Sequence, residues 1–417
     1  MPNTRRDDGM STVIAATSFI SCLELFDFTV FALFAGTIGE QFFPSSNPMT
    51  SLLLAVGTFG VGFLMRPLGA IWIGRHADRR GRRAALVVTS MLMALSTAAI
   101  ALCPAYAAIG VAAPIVVVIA RLLAGLAAGG EVGAAATYAM DTVPVARRGF
   151  AIGWQLAGQG AAALLGACTG LALTHALTPA SFASWGWRMP FALGALVAPA
   201  GLYVRLRLPE TRTHAPRDDE AADRALIRPV ALATLMMLWR TIPFYAIVVY
   251  MPSYLTRVMH FPERVGFRCA ALSALVLVIV APLSGRLADR LTRRKPLLLA
   301  TSGLTTLLVY PVFFVIVHAR GEGAVLAAVA AISALIGLGA SIATVLVLEG
   351  MPARARATGF AVSYALGVGI FGGTAQFAAT ALVRWTGDPM SVAWYVAPAC
   401  LVSFIACGLF DERRVRA

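Results

Sequence analysis

The sequence is poor in charge for a chain of its length. Only 13% of its 417 residues are charged and 59% are hydrophobic, whereas soluble globular chains average about 25% charged and about 45–50% apolar residues. This scarcity of charge excludes an ordinary soluble domain. Because the apolar excess is spread over the whole chain, the composition is typical of a protein that crosses a membrane many times.

Metal-binding and catalytic patterns are also missing from the sequence. The six cysteines form no CxxC pair, the five histidines are dispersed, and most cysteines fall in apolar runs. We interpret the cysteines as small hydrophobic side chains inside helices. No nucleophile elbow and no phosphate-binding loop occurs in the sequence either. We therefore expect no enzyme activity and no cofactor or metal, and we reject a membrane enzyme or sensor as the function.

Positive charge is plentiful, with a formal net charge of +14, and all but one of the 34 basic residues are arginine, the exception being Lys295. Such a charge could indicate a nucleic-acid partner. However, most of the arginines form short clusters between apolar runs, which is the pattern of cytoplasmic loops. We therefore expect a lipid bilayer, and no nucleic acid, as the partner of this charge.

Twelve apolar runs are long enough for membrane-spanning helices, which need about 20 residues each. They are rich in Ala, Leu and Gly and lack the alternation of strands. The sequence thus predicts an all-α polytopic membrane protein whose spans 1 to 12 cover residues 12–39, 50–73, 84–103, 111–140, 149–177, 188–206, 229–255, 266–285, 297–318, 323–349, 358–384 and 391–410.

The basic residues also predict the orientation. If the N-terminus lies in the cytoplasm, most of the 34 basic residues fall in cytoplasmic segments and only a few in outside loops. We therefore expect both termini to be cytoplasmic, in a bacterial inner membrane. The first apolar run is too long for a cleaved signal peptide, and we interpret it as span 1.

The two halves of the sequence repeat each other. GRHADRRGRRAALV at 74–87 matches GRLADRLTRRKPLL at 285–298, and DTVPVARRGFA at 141–151 matches EGMPARARATGFA at 349–361. We expect an N-terminal six-helix bundle at 1–206, a cytoplasmic central loop at 207–228 and a C-terminal six-helix bundle at 229–417, related by an axis along the membrane normal. Such parallel repeats are typical of transporters that rock two bundles about a central site.

The same stretches resemble a known family. GRHADRRGRR resembles the loop motif of the major facilitator superfamily. ELFDF, FLMRPLGAIWIG, RLLAGLAAGGEVG, WGWRMPF and LEGMPARARATGF resemble the metabolite:proton symporters, and within them the citrate and tricarballylate carriers. The chain departs from those carriers at Arg240, where they usually have a small or polar residue.

The resemblance implies proton-coupled import of a small organic acid such as a citrate-like tri- or dicarboxylate, by alternating access. Its partners would be that acid, protons and the bilayer, and the carrier would act as a monomer driven by the proton gradient. The alternatives are a carrier of another metabolite, such as an aromatic acid or an osmolyte, and an efflux antiporter for drugs or metabolites.

Ionisable side chains inside the spans are the first candidates for function, because each costs about 2.5–3.5 kcal/mol on insertion scales. Asp27 lies 12 residues from the outer end of span 1, and Arg121 lies 10 residues from the outer end of span 4. At about 1.5 Å per residue their depths differ by about 3 Å, which permits an ion pair. In related sugar–proton carriers such a pair couples the proton, so the resemblance implies that role here. A static pair that docks spans 1 and 4 is the alternative.

Three further charges lie at membrane depth. Glu24 shares a helix face with Asp27, and it could be a second protonation site, a substrate contact or a packing partner. Arg66 and Glu131 lie at similar depth and could form a charge network, although a structural role for Arg66 is the alternative.

Polar residues of the central spans are candidate substrate contacts. Arginine binds carboxylates in a bidentate manner, which suits Arg121 and Arg240 to an organic acid. The other candidates, for each of which a hydrogen bond between helices is the alternative, are Gln155, Gln159, Tyr245, Tyr250, Tyr364 and Gln376.

The repeated loop motifs predict a gate at the cytoplasmic end. Their acidic and basic residues could form ion pairs that hold one state and break in the other. Alternatively, the positive charge only sets the topology. The predicted gate residues are Asp78, Arg79, Arg82, Arg83, Asp141, Arg148, Asp289, Arg290, Arg293, Glu349 and Arg356.

Overall fold

The computed structural model describes residues 3–80, 82–129, 142–207, 220–319, 321–352 and 356–412. These residues are almost entirely helical and contain no strand. Eleven of the described helices are long and apolar enough to cross a membrane, and they match spans 1–5 and 7–12. The predicted span 6 is occupied by the helix Met189–Arg207.

The N-terminal half, spans 1–6, contains several helices that are interrupted or flanked by short turns. Span 1 is interrupted at Phe34 and span 2 at Met65, while residues 130–141 of the predicted span 4 lie outside the described residues. The helices are Asn3–Leu33 and Ala35–Phe42, Pro48–Leu64 and Arg66–Arg80, Arg82–Leu102, Tyr106–Ile109, Ala112–Gly129, Arg148–Ala176, Pro179–Ser184 and Met189–Arg207.

The C-terminal half, spans 7–12, has longer helices. The helix of span 7 begins at Glu220, so residues 220–228 of the predicted central loop are helical, and 208–219 lie outside the described residues. EAADRALIR extends the helix with helix-forming residues beyond the apolar stretch. The helices are Glu220–Pro243 and Met251–Arg257, Glu263–Arg290, Lys295–His318, Glu322–Gly350, Arg356–Tyr364 and Gly373–Thr386, and Ser391–Leu409.

Two spans of the C-terminal half are wound as π-helix in their middle. The π-helical segments are Phe244–Val249 in span 7 and Ala365–Gly372 in span 11. Such segments are rare and are found often at functional sites. The two segments approach closely, since a Cβ on Gly372 would lie 2.7 Å from the ring of Tyr245. The centre of the C-terminal half is therefore a candidate functional region.

Glycines allow spans 2 and 4 to pack with their backbones in contact. A Cβ on Gly62 would lie 2.8 Å from the backbone oxygen of Arg121. Small residues permit this kind of approach between helices in lipid. The approach matters for function because it holds span 4, and with it the side chain of Arg121, inside the N-terminal half.

Candidate functional site

A buried ion pair joins spans 1 and 4. Asp27 Oδ2 and Arg121 Nη1 are 2.8 Å apart, and the exposed fractions of the two side chains are 6% and 0%. The two residues that residue counting placed at similar depth are thus in direct contact in the structure. The pair lies within the N-terminal half, in a cluster of phenylalanines that includes Phe28 and Phe31.

Span 3 provides hydrogen bonds to both members of this pair. Thr97 Oγ1 donates to Asp27 Oδ1 over 2.8 Å, and Arg121 Nη2 donates to Ser96 Oγ over 3.2 Å. Ser96 in turn donates to the carbonyl of Ala120 over 2.7 Å. The neighbouring residues Ser96 and Thr97 therefore fix the two charged groups from the side of span 3.

The pair is held mainly by Coulomb attraction. Despite the short distance, Asp27 Oδ2 and Arg121 Nη1 and Nε make no hydrogen bond of acceptable geometry. A buried ion pair repays the loss of hydration only partly unless its hydrogen bonds are satisfied. The two charged groups are thus restrained by Thr97 and Ser96, while Asp27 Oδ2 and Arg121 Nη1 face each other without a hydrogen bond.

A second group of charges lies where the two halves meet. Arg66 is buried, its guanidinium carbon 4.0 Å from the ring centroid of Phe63 and 4.7 Å from that of Phe28. Arg66 and the buried Glu24 both lie near Tyr245 and Tyr364 of the C-terminal half. Glu24 therefore lies at the interface of the halves, whereas Asp27 lies within one of them. Glu131 lies outside the described residues, and its predicted network with Arg66 stays a prediction.

A central cavity of about 50 Å³ separates the halves. That volume holds a few water molecules, so a larger molecule requires the halves to move apart. The lining side chains come from spans 1 and 5 on one side and from spans 7, 8, 10 and 11 on the other: Leu25, Leu156, Gln159, Gly160, Arg240, Thr241, Phe244, Tyr245, Leu277, Ala281, Ile336, Gly337, Ala340, Tyr364 and Val368.

Arg240 is the charged side chain among the lining residues of this cavity. It is buried, and its Nε and Nη2 atoms, like the hydroxyl of the adjacent Thr241, have no hydrogen-bond partner. It lies near Tyr245 and Tyr364, and Gln159 makes a side-chain hydrogen bond to Tyr364. A buried cation with free donors beside a cavity is an arrangement suited to an anion.

The remaining predicted contacts lie away from the cavity wall. Gln155 is buried without lining the cavity, and Tyr250 accepts a hydrogen bond of 2.9 Å from Thr380. The Tyr250 contact joins spans 7 and 11, as the alternative interpretation expected. Gln376 is fully buried, and its amide has no hydrogen-bond partner.

The halves touch at the end of the molecule that carries the arginine clusters, called here the arginine-rich end. Asp289 of span 8 accepts hydrogen bonds from the backbone N–H groups of Gly149, over 2.7 Å, and Phe150, over 2.8 Å. These are the first amides of the helix that begins at Arg148. Helix N-terminal amides lack intrahelical partners and favour negative charge, so Asp289 ties the two halves together.

The predicted ion pairs at this end differ in the structure. Arg290 and Arg293 are exposed, because the carboxylate of Asp289 is bound by span 5 instead. Glu349 pairs with Arg294 over 2.5 Å, and Arg356 donates to the carbonyl of Leu348 over 3.0 Å. The side chains of the other predicted gate residues lie outside the described residues, namely Asp78, Arg79, Arg82, Arg83 and Asp141.

The halves also touch at the opposite end. Glu40, after span 1, pairs with Arg257 at the end of span 7 over 2.6 Å, with exposed side-chain fractions of 45% and 23%. Below this pair, the rings of Phe34 and Phe267 are 5.1 Å apart. The cavity therefore lies between two contacts of the halves, one at each end.

Comparison with known proteins identifies the family. The chain matches the Major Facilitator Superfamily over residues 17–375. The chain belongs to this superfamily. Its architecture agrees, because it is similar to the crystal structure of a D-xylose-proton symporter, with a TM-score of 0.78, 14% sequence identity and coverage of 97% of this chain and 98% of that one.

Two relatives within the Major Facilitator Superfamily are more similar in sequence. A citrate-proton symporter of Klebsiella pneumoniae is 35% identical over 408 residues, covering 94% of this chain and 90% of that protein. An alpha-ketoglutarate permease of Escherichia coli strain K12 is 34% identical over 399 residues, covering 94% and 91%. The predicted resemblance and the all-helical fold are thus confirmed, and this chain, like its superfamily, is a transporter and not an enzyme.

Several residues of the site were missed by sequence reasoning. Ser96 and Thr97 were not singled out, although two adjacent hydroxyl side chains in an apolar span were a usable signal. Thr241, which follows Arg240, gave the same kind of signal. The pair of Glu40 and Arg257 gave none, because its members are far apart in the sequence and lie near span ends where charge is common.

Proposed function

We propose that this chain is a symporter that imports a small organic acid together with protons. The family resemblance implies a citrate-like tri- or dicarboxylate, and the similarity to a citrate-proton symporter and an alpha-ketoglutarate permease supports an organic acid in general. The carrier would lie in a bacterial inner membrane with both termini in the cytoplasm, and would act as a monomer. Its bundles, 1–206 and 229–417, would rock about the central cavity.

The observation that carries the proposal is the buried ion pair of Asp27 and Arg121. In general, a neighbouring arginine favours the ionised form of a carboxylate, and loss of that neighbour in a poorly hydrated site favours the protonated acid. Asp27 would take up a proton where the pair is open to the outside and release it when the pair closes again. Thr97 and Ser96 would guide the return, because each holds one member of the pair in place.

The experiment is uptake of organic acids by the full-length protein in proteoliposomes with an inward proton gradient. We expect the addition of a transported acid to raise the external pH. Asp27→Asn keeps the shape and the hydrogen-bonding ability of the side chain but cannot take part in proton release. It is expected to abolish gradient-driven accumulation while exchange of the acid across the membrane continues.

Glu322→Gln is the matched control, since it makes the same chemical change at a partly exposed carboxylate whose ion pair lies within one half of the protein. It should retain gradient-driven accumulation. Transport of an acid by the unmodified protein without a change in external pH would refute proton coupling. Normal accumulation by Asp27→Asn would remove Asp27 from the mechanism.

A further inference from the structure

The polar side chains that line the central cavity are confined to part of its wall. They come from spans 5, 7 and 11, where Arg240, Tyr245 and Tyr364 lie near one another and Gln159 makes a hydrogen bond to Tyr364. Spans 8 and 10 contribute only Leu277, Ala281, Ile336, Gly337 and Ala340. Once the halves have moved apart, a molecule held between these spans would place a polar group on spans 5, 7 and 11 and an apolar body on spans 8 and 10.

The number of charges that the cavity presents is small. Arg240 is the charged group among the residues that line it. Arg121 is fully buried, does not line the cavity and already faces Asp27. A substrate in the cavity therefore meets one guanidinium group, which matches one carboxylate.

The pairing of the buried charges in the wider core also indicates a ligand with a single carboxylate. Among the described residues the buried charged side chains are three arginines and two carboxylates: Arg66, Arg121, Arg240, Glu24 and Asp27. Of the three arginines, Arg121 faces Asp27, whereas Arg240 meets no carboxylate among the described residues. Burying an uncompensated charge is costly, so a ligand with one negative charge relieves the cost without introducing a new one.

We infer that the substrate is an amphipathic monocarboxylate, an organic acid with a single carboxylate and an apolar body. The carboxylate binds Arg240, with the hydroxyl of Thr241 as an additional donor, and the body packs on spans 8 and 10. This inference rests on the proposed function and narrows its substrate class. A second or third carboxylate would lie against Leu277 and Ile336, where no side chain compensates its loss of water.

The test compares acids of similar size that differ in charge. Binding of hexanoate, 3-phenylpropanoate, adipate and tricarballylate to the purified full-length protein is measured at one pH and ionic strength. We expect the two monocarboxylates to bind about tenfold tighter or more than adipate and tricarballylate, since a charge-assisted pair is gained and no buried anion is left without a partner. Equal or tighter binding of adipate or tricarballylate would overturn the inference.

Three variants locate the site. Arg240→Met keeps the length of the side chain and removes the charge, so hexanoate binding should fall about tenfold or more. Arg240→Lys keeps the charge but lacks the planar guanidinium group, so it should weaken hexanoate binding less than Arg240→Met does. Leu277→Asn replaces an apolar side chain of the wall with a polar one of nearly the same shape. We expect it to weaken the binding of hexanoate. Unchanged hexanoate binding by a folded Arg240→Met protein would overturn the assignment.

Proton-coupled uptake separates this inference from the proposed function. Uptake of tricarballylate with protons, and no binding of hexanoate, would overturn the inference and leave proton-coupled symport intact. Binding of hexanoate that depends on Arg240, together with uptake of hexanoate without proton movement, would support the inference and refute symport. If none of the four acids binds, the inference is overturned, whatever acid later proves to be carried.

Discussion

The two halves of this transporter each bury an arginine, and they treat it in opposite ways. Arg121 in the N-terminal half faces Asp27 at 2.8 Å and receives support from Ser96. Arg240 in the C-terminal half lines the cavity with two nitrogen atoms unpartnered. A cation that already has its anion can act as a switch, whereas a cation that lacks one is available to a ligand.

The largest effect is expected from breaking the paired arginine. Arg121→Met leaves Asp27 buried without a counter-charge, which should destabilise the protein by about 3–5 kcal/mol. Arg240→Met removes an uncompensated charge, so it should instead stabilise the protein by about 1–3 kcal/mol. Thermal unfolding of the purified proteins in the same detergent measures both changes.

The double variant Asp27→Asn, Arg121→Met is the control for this comparison. Because no charge is left unpaired, it should regain most of the stability that Arg121→Met loses. Destabilisation of similar size by Arg121→Met and Arg240→Met would mean that Arg240 has a structural role and that the two arginines do not differ as the structure indicates.

A smaller effect is expected for Asp289, because its carboxylate is bound by the N-terminus of a helix and not by a cationic side chain. Asp289→Asn removes the charge that binds the first amides of span 5, an interaction worth about 1 kcal/mol. Hydrogen exchange should therefore become about fivefold faster in the peptide that contains Gly149 and Phe150. Arg290→Gln, an exposed change at the next position, should leave that exchange rate unaltered. Equal acceleration in both variants would contradict a specific contact of Asp289.

The smallest effect is expected from the ion pair at the opposite end. Glu40 and Arg257 are partly exposed, and such pairs contribute about 0.2–1 kcal/mol, less at high salt. Glu40→Gln should lower the unfolding temperature slightly at low salt and not at high salt.

Glu322→Gln breaks a comparable exposed pair with Arg268, at 2.9 Å, within the C-terminal half. Glu322→Gln should have the same small effect on the unfolding temperature and no effect on the rate of acid transport. Glu40→Gln, in contrast, should change the rate of acid transport, because it loosens the contact between the halves. A large loss of stability in Glu40→Gln that persists at high salt would show that the pair is not an ordinary surface interaction.

The spans, the internal repeat and the family resemblance were predictable from local patterns. Apolar runs, clustered arginines and the repeated GRHADRR and GRLADRL segments are properties of contiguous sequence. Counting residues along two helices was also enough to bring Asp27 and Arg121 to one depth, because the rise of an α-helix is constant. The partners on span 3 were not predictable in this way, since depth does not say which helices are neighbours.

The sequence by itself determined the twelve apolar runs, the family and the set of charges placed in the membrane. Only the tertiary structure decided which charges are paired. Asp27 of span 1 meets Arg121 of span 4, Asp289 meets the N-terminus of span 5, and Arg240 meets no carboxylate among the described residues. Pairing depends on distances between helices far apart in the chain, and these distances follow from packing of the whole molecule.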